Sequence, residues 1–131
     1  MIRKVAEMGL SDKFLFHGFY TRDDADKFFK LADLFVMPSV SEPFGVVPLE
    51  AMSKGTPTII SKQSGCSEIL KNTLKVDFWD IDKMSNQVAA LLKYNSLNNT
   101  MGKEGLKEVN KLTWDVPAKR CVDIYKELSE K

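Results

Sequence analysis

The chain has 131 residues, 44% hydrophobic and 28% charged, with a formal net charge of +1. That length supports one domain, 1–131, with a real core, and the composition is ordinary for a globular chain. The near-neutral balance gives no basis for a nucleic-acid partner or an anionic membrane surface, and no apolar run approaches the ~20 residues that span a bilayer. Met1 to Leu10 mixes charged with apolar residues and has no apolar centre, unlike a secretory leader. Cys66 and Cys121 lack metal-type spacing, and with no leader they point to a reducing, cytoplasmic setting.

The elements follow in order. Met1 to Gly9 reads as the end of a helix, with Ile2, Val5 and Ala6 on one face and Gly9 as its stop. Phe14 to His17 reads as a strand broken by Gly18. Asp23 to Leu31 reads as a helix turning Phe28, Phe29 and Leu31 inward. Leu34 to Met37, a short apolar run ended by Pro38, reads as a buried strand. Pro48 suits the first turn of a helix running through Leu49 to Lys54, and Gly55 suits the position just past its end. The run Pro57 to Ile60 is a further strand, Ser67 to Leu70 a single helical turn, and Leu74 to Asp77 a short strand.

The last third reads as helical. Met84, Val88, Leu91 and Leu92 share one face. Leu97 and Met101 begin another helix; Leu106 and Val109 extend it, although Gly102 and Gly105 weaken such a segment. Ala118, Cys121, Val122, Tyr125 and Leu128 form an amphipathic stripe with Asp115 as its cap. Strands alternating with helices predict an α/β fold. The expected core is a Rossmann-like parallel sheet of about four strands flanked by helices, with a helical C-terminal third.

Chemistry concentrates in Ser39 to Glu68. Glu42 and Glu50 stand with seven residues between them, and Pro43, Gly45 and Pro48 shape the backbone in between. A strand, a glycine turn and a helix start together make an anion site, because first-turn N–H groups point outward. Phosphate is expected over Gly45, Val46 and Val47. Glu50 repels phosphate but accepts two hydrogen bonds from a ribose diol. Glu42, across the turn, suits the hydroxyls of a second sugar. Phosphate between two sugars is the layout of a nucleotide diphosphate sugar.

The string Glu42-Pro43-Phe44-Gly45-Val46-Val47-Pro48-Leu49-Glu50-Ala51-Met52 is followed by Gly55-Thr56-Pro57 and flanked by Met37-Pro38-Ser39, Gly65 and Glu68. It resembles the donor-binding domain of the retaining glycosyltransferases built from two facing Rossmann-like domains. That group includes sucrose synthases, bacterial glycogen synthases and surface-polysaccharide transferases. The resemblance runs from about Phe14 to the last helix. It implies transfer of a hexosyl group from a nucleotide diphosphate sugar to a glycan or other hydroxyl acceptor, with the anomeric configuration kept. Glu42 is the expected catalytic-site residue, contacting the donor sugar. The Phe44 and Gly45 backbone lines that sugar, the Val46 and Val47 amides hold the distal phosphate, and Glu50 holds the ribose. The loop at Phe19 and Tyr20 lies near the base. No cofactor and no metal are expected, since amide dipoles and basic side chains stabilise the leaving diphosphate. Trp114 and Tyr125 match a terminal helix that packs across the domain, and Cys66 stands where the family often has a second glycine.

Plainer roles compete at each of these residues. Glu42 and Glu50 as ordinary surface acids are opposed by the string around them. His17 reads as a packing or pocket-rim residue, because no partners supply a metal site. Ser39, Ser41, Ser61 and Ser64 have no nearby His-acid pair for nucleophilic chemistry. Cys66 reads as a small buried hydrophobe and Lys62 as a solvated lysine.

The family's donor domain begins with two further strand-helix units, the first carrying the basic diphosphate clamp. The chain therefore reads as a piece of a longer enzyme, inactive alone, with its acceptor served by a missing N-terminal domain. The alternatives are a non-catalytic nucleotide-sugar or protein-binding module and, more remotely, a nucleotide-sugar epimerase of the same layout. Without those units, the Phe14 strand is expected to pair directly with the Leu34 strand, with marginal stability and some self-association.

Overall fold

The structure is a computed structural model that describes residues 1–19 and 21–129. Three parallel strands, β1 (Phe35–Met37), β2 (Thr58–Ser61) and β3 (Leu74–Val76), lie in the order β1-β2-β3. Val36 pairs with Ile59, and Ile60 with Lys75. Six α-helices accompany them among the described residues: α1 (Ile2–Glu7), α2 (Arg22–Leu31), α3 (Val47–Ser53), α4 (Ile81–Lys93), α5 (Asn95–Val109) and α6 (Asp115–Ser129). A 3₁₀ turn spans Gly65–Glu68.

Alternation along β2 builds two cores. Ile60 points to one face, where Met52 of α3, Cys66 and Leu70 complete a buried cluster. Its neighbour Ile59 points to the other, against Val76 and Leu91 of α4. The central strand is thus apolar on both sides, as a parallel strand covered on both faces must be. Helix α5 joins the layers: Met101 packs on the Ile59 cluster and Val109 on the Ile60 cluster. Gly102 and Gly105 are buried within it, where a side chain would meet the Gly55 carbonyl and the Met52 methyl. They are the helix's close-approach points, not its breaks.

The same C-terminal motif ends α1 and α3. In α3 the Gly55 N–H donates to Met52 O at 2.9 Å and the Thr56 N–H to Ala51 O at 3.2 Å. In α1 the N–H groups of Gly9 and Leu10 donate to Ala6 and Val5. These paired reversals satisfy helix carbonyls and need a left-handed residue just past the end. Thr21 caps α2, accepting from the Asp24 N–H.

Several expectations are corrected. Phe14 to His17 forms no strand, so among the described residues the parallel sheet flanked by helices has three strands where about four were expected. A strand exists only through a partner. Here Phe14 and Phe16 stack on each other at 6.1 Å and His17 meets the Phe28 ring at 5.2 Å. Among the described residues nothing pairs with the outer edge of β1, so β1 is half-buried and not buried. Helix α2 meets the sheet through Phe29, whose ring sits edge-on to Phe35 at 5.6 Å. Leu31, two residues on and about 200° around the helix, is 81% exposed. Ile2, Ala6 and Leu92 are likewise exposed. Helix α6 does not pack across the domain: none of its described residues is buried, Trp114 is 80% exposed, and Asp115 is its first residue.

Candidate functional site

The site forms where the loop after β1 meets the turn after β2. Two short backbone bonds zip them together: the Gly65 N–H donates to Glu42 O at 2.9 Å and the Cys66 N–H to Phe44 O at 2.7 Å. Glu42 and Ser64 also form an isolated parallel bridge. The approach is close enough to exclude a side chain at 65, whose Cβ would run into the Pro43 carbonyl.

Gly45 has φ +85°, and a Cβ there would lie 3.0 Å from both Glu42 Cγ and Met37 Cε. The left-handed turn and the packing together require glycine. Glu42 is half-buried, its Cγ lying beside Gly45. Burial pushes the Cys66 thiol up from its ordinary value, and the Glu42 carboxylate adds to that rise. A raised thiol stays protonated, which fits a packing role for Cys66.

Helix α3 starts directly after this turn. Val46 is its N-cap, Pro48 occupies its first turn, and no side chain caps it. The Leu49 and Glu50 N–H groups donate to Val46 O. Among the described residues nothing accepts from the Val46 or Val47 N–H, and both residues are exposed. These are the orphan donors that every helix start carries. Glu50, half-buried in the first turn, lines an apolar groove of about 530 Å³ with Phe44, Val46 and Leu49 on one wall and Val109, Leu112 and Trp114 on the other. Glu42 does not line that groove.

A chain of buried hydroxyls underlies the loop. Ser61 Oγ donates to Ser39 O at 2.6 Å and lies 3.0 Å from Ser64 Oγ. Of Ser39, Ser41, Ser61 and Ser64, three are bonded into the frame: Ser61 and Ser64 by their hydroxyls and Ser39 by its backbone carbonyl. A small polar residue at the end of an apolar strand was the only hint of this in the sequence.

Lys62 is ion-paired with Asp77 at 2.7 Å, not simply solvated, and its ammonium with the Gln63 amide holds the Asp77 carboxyl below its ordinary value. His17 rests against Phe28. Tyr20 lies outside the described residues. Among the described residues no three His, Cys, Asp or Glu side chains stand together as a metal site, and no helix is long and apolar enough to cross a membrane.

Residues 1–108 match the profile of the family described as glycosyl transferases group 1. An uncharacterised glycosyltransferase of Methanocaldococcus jannaschii is 36% identical over 125 residues, covering 92% of this chain and 32% of its own. The solved sucrose-phosphate synthase of Thermosynechococcus elongatus superposes with a TM-score of 0.84 at 30% identity, over 98% of this chain and 33% of its own. Anabaena HepE, solved in complex with UDP-glucose, superposes with a TM-score of 0.81 at 21% identity, over 98% of this chain and 35% of its own, a likeness of fold. The chain spans about a third of the length of such relatives.

Proposed function

The chain belongs to the group 1 glycosyl transferases, and on that premise we propose that it is the nucleotide-sugar-binding part of a retaining hexosyltransferase. The observation that carries the reading is the Glu42–Glu50 segment, pinned at Glu42 and Phe44 to the Gly65 turn and running directly into the unshared amides of Val46 and Val47.

In this reading the Val46 and Val47 N–H groups hold the distal phosphate of the donor, with the Gly45 turn letting it approach. Glu50 takes both hydroxyls of the ribose as a charged bidentate acceptor. Glu42 takes hydroxyls of the transferred sugar, and the backbone at Phe44 and Gly45 forms that sugar's floor. The base lies toward the Phe19 loop. As the glycosidic bond to the diphosphate breaks, negative charge grows on the leaving oxygen, and amide dipoles already aimed at it stabilise that charge without reorganising. Departure and attack occur on one face of the sugar, so configuration is kept. The reaction is metal-independent: activity of a longer enzyme carrying this segment survives EDTA, and rescue by added Mn²⁺ or Mg²⁺ would count against it.

The acceptor, a glycan or other hydroxyl compound, is bound by the part of the longer relatives that this chain does not span. The 131 residues alone bind donor weakly and transfer no sugar. Glu50→Ala tests the ribose assignment. A hydrogen bond to a charged group is worth ~1.5–3 kcal/mol, so nucleotide affinity falls at least about tenfold. Glu50→Gln loses less, because its amide oxygen still accepts. Equal affinity in parent and Glu50→Ala removes the assignment.

A further inference from the structure

Ser61 closes β2 and is fully buried. A hydroxyl has one proton to give. Ser61 gives its proton to the Ser39 carbonyl at 2.6 Å, which leaves Ser61 Oγ as the acceptor of its 3.0 Å contact with Ser64 Oγ. The order is therefore fixed as Ser64 to Ser61 to Ser39. Ser39 lies two residues past β1, at the root of the loop that carries Glu42. Ser64, 2% exposed, precedes the 3₁₀ turn, and the next two N–H groups, of Gly65 and Cys66, hold the carbonyls of Glu42 and Phe44. One hydroxyl thus braces the Ser39–Phe44 loop at both ends. It does so directly at Ser39, and through Ser64 and the Gly65 turn at Glu42.

We propose that Ser61 is a positioning residue for Glu42: it sets the loop height at which the Glu42 carboxylate meets the sugar of the donor. This rests on the donor reading above and goes beyond it. Buried hydrogen-bond networks are rigid because a missing member leaves its partners unsatisfied. Ser61→Ala would strand the Ser39 carbonyl and the Ser64 hydroxyl together, and the loop would relax to find other partners. Helix α3 is anchored separately, by Met52 and Ala51 in the core, so Glu50 and the first-turn amides keep their places. The predicted consequence is selective. Contacts to the sugar weaken while contacts to the nucleotide persist.

The test compares UDP-glucose with UDP on the full 131-residue chain, by ligand-observed NMR. Thr58→Val serves as the matched control. Thr58 is fully buried on the same strand, and its hydroxyl bonds Thr73 at 2.8 Å at the end away from the loop. In Ser61→Ala the affinity for UDP-glucose relative to UDP falls about tenfold, the scale of one or two lost hydrogen bonds. In Thr58→Val the ratio stays at the parent's value even if the unfolding temperature drops. Should Ser61→Ala not fold, Ser64→Ala removes one arm and leaves the bond to Ser39, and a smaller fall in the same ratio is expected. An unchanged ratio in a folded Ser61→Ala or Ser64→Ala overturns the positioning role while leaving the donor reading intact. A parent that binds neither UDP nor UDP-glucose, nor another nucleoside diphosphate and its sugar, overturns the donor reading and this inference with it.

Discussion

The Gly65 N–H donates to the Glu42 carbonyl at 2.9 Å, and a Gly65 side chain would occupy the place of the Pro43 carbonyl. The bond and the steric limit are one fact, since the loop can be zipped to the turn only if position 65 is bare. Gly65→Ala must push the Glu42 loop away. Overpacking of this kind costs about 1–3 kcal/mol. The variant is expected to unfold at lower temperature and to bind nucleotide sugar more weakly. Thermal unfolding alongside titration checks both, and a parent-like result in each would show that the loop is not held as described.

Gly102 offers a contest between two effects of known size. Alanine in a helix interior gains about 1 kcal/mol over glycine. At 102, however, its Cβ would meet the Gly55 carbonyl, which the α3 end motif holds in place. The clash wins, and Gly102→Ala is expected to destabilise by about 1–2 kcal/mol. At 105 the Cβ would meet mainly the flexible Met52 methyl, at 3.2 Å. Gly105→Ala is therefore expected near neutral. Chemical denaturation ranks the two, and the opposite ranking would refute the packing of α5 on α3.

Glu108 ties the end of α5 to the loop before β3, accepting from the Lys71 and Asn72 N–H groups at 2.7 Å each. Burial raises its pKa, but the bonds from Asn72 and Lys71 outweigh burial and hold the carboxyl below its ordinary value of 4.5. A depressed folded pKa contributes stability that is present above the ordinary value and lost as pH falls through the folded one. The unfolding temperature should therefore decline as pH drops below about 4.5, and Glu108→Gln should remove part of that decline. If the variant keeps the parent's full acid slope, Glu108 is not so bonded.

Much of this could be read in the residues. The run Pro57 to Ile60 was legible as a strand, whereas the burial expected of Leu34 to Met37 belongs instead to this central strand, which has neighbours on both sides. The Glu42 to Gly55 string announced the turn, the Pro48 helix start and the Gly55 stop, all of which are local chemistry. What stayed illegible depended on partners. Phe14 to His17 has strand composition, yet strand formation needs a neighbour at the β1 edge. Leu31 and the α6 stripe are apolar, yet burial needs a surface opposite them. Ser61 looked like one serine among several, because its meaning comes from Ser39 and Ser64, which only the fold brings to it. Gly102 and Gly105 misled in the other direction, since glycine weakens a helix in isolation and strengthens one that must touch its neighbour.

The central claim is that the amides after Gly45 receive the diphosphate of a nucleotide sugar. It is tested most directly by ¹⁵N-labelled amide spectra of the 131-residue chain during titration with UDP and UDP-glucose, or with other nucleoside diphosphates and their sugars. The account predicts that the Gly45, Val46 and Val47 amide resonances move first and furthest with the diphosphate, and that Gly65 and the Glu42 loop respond further when the sugar is attached. Resonances at these positions that stay fixed while others shift, or no response to any nucleotide at all, would contradict it.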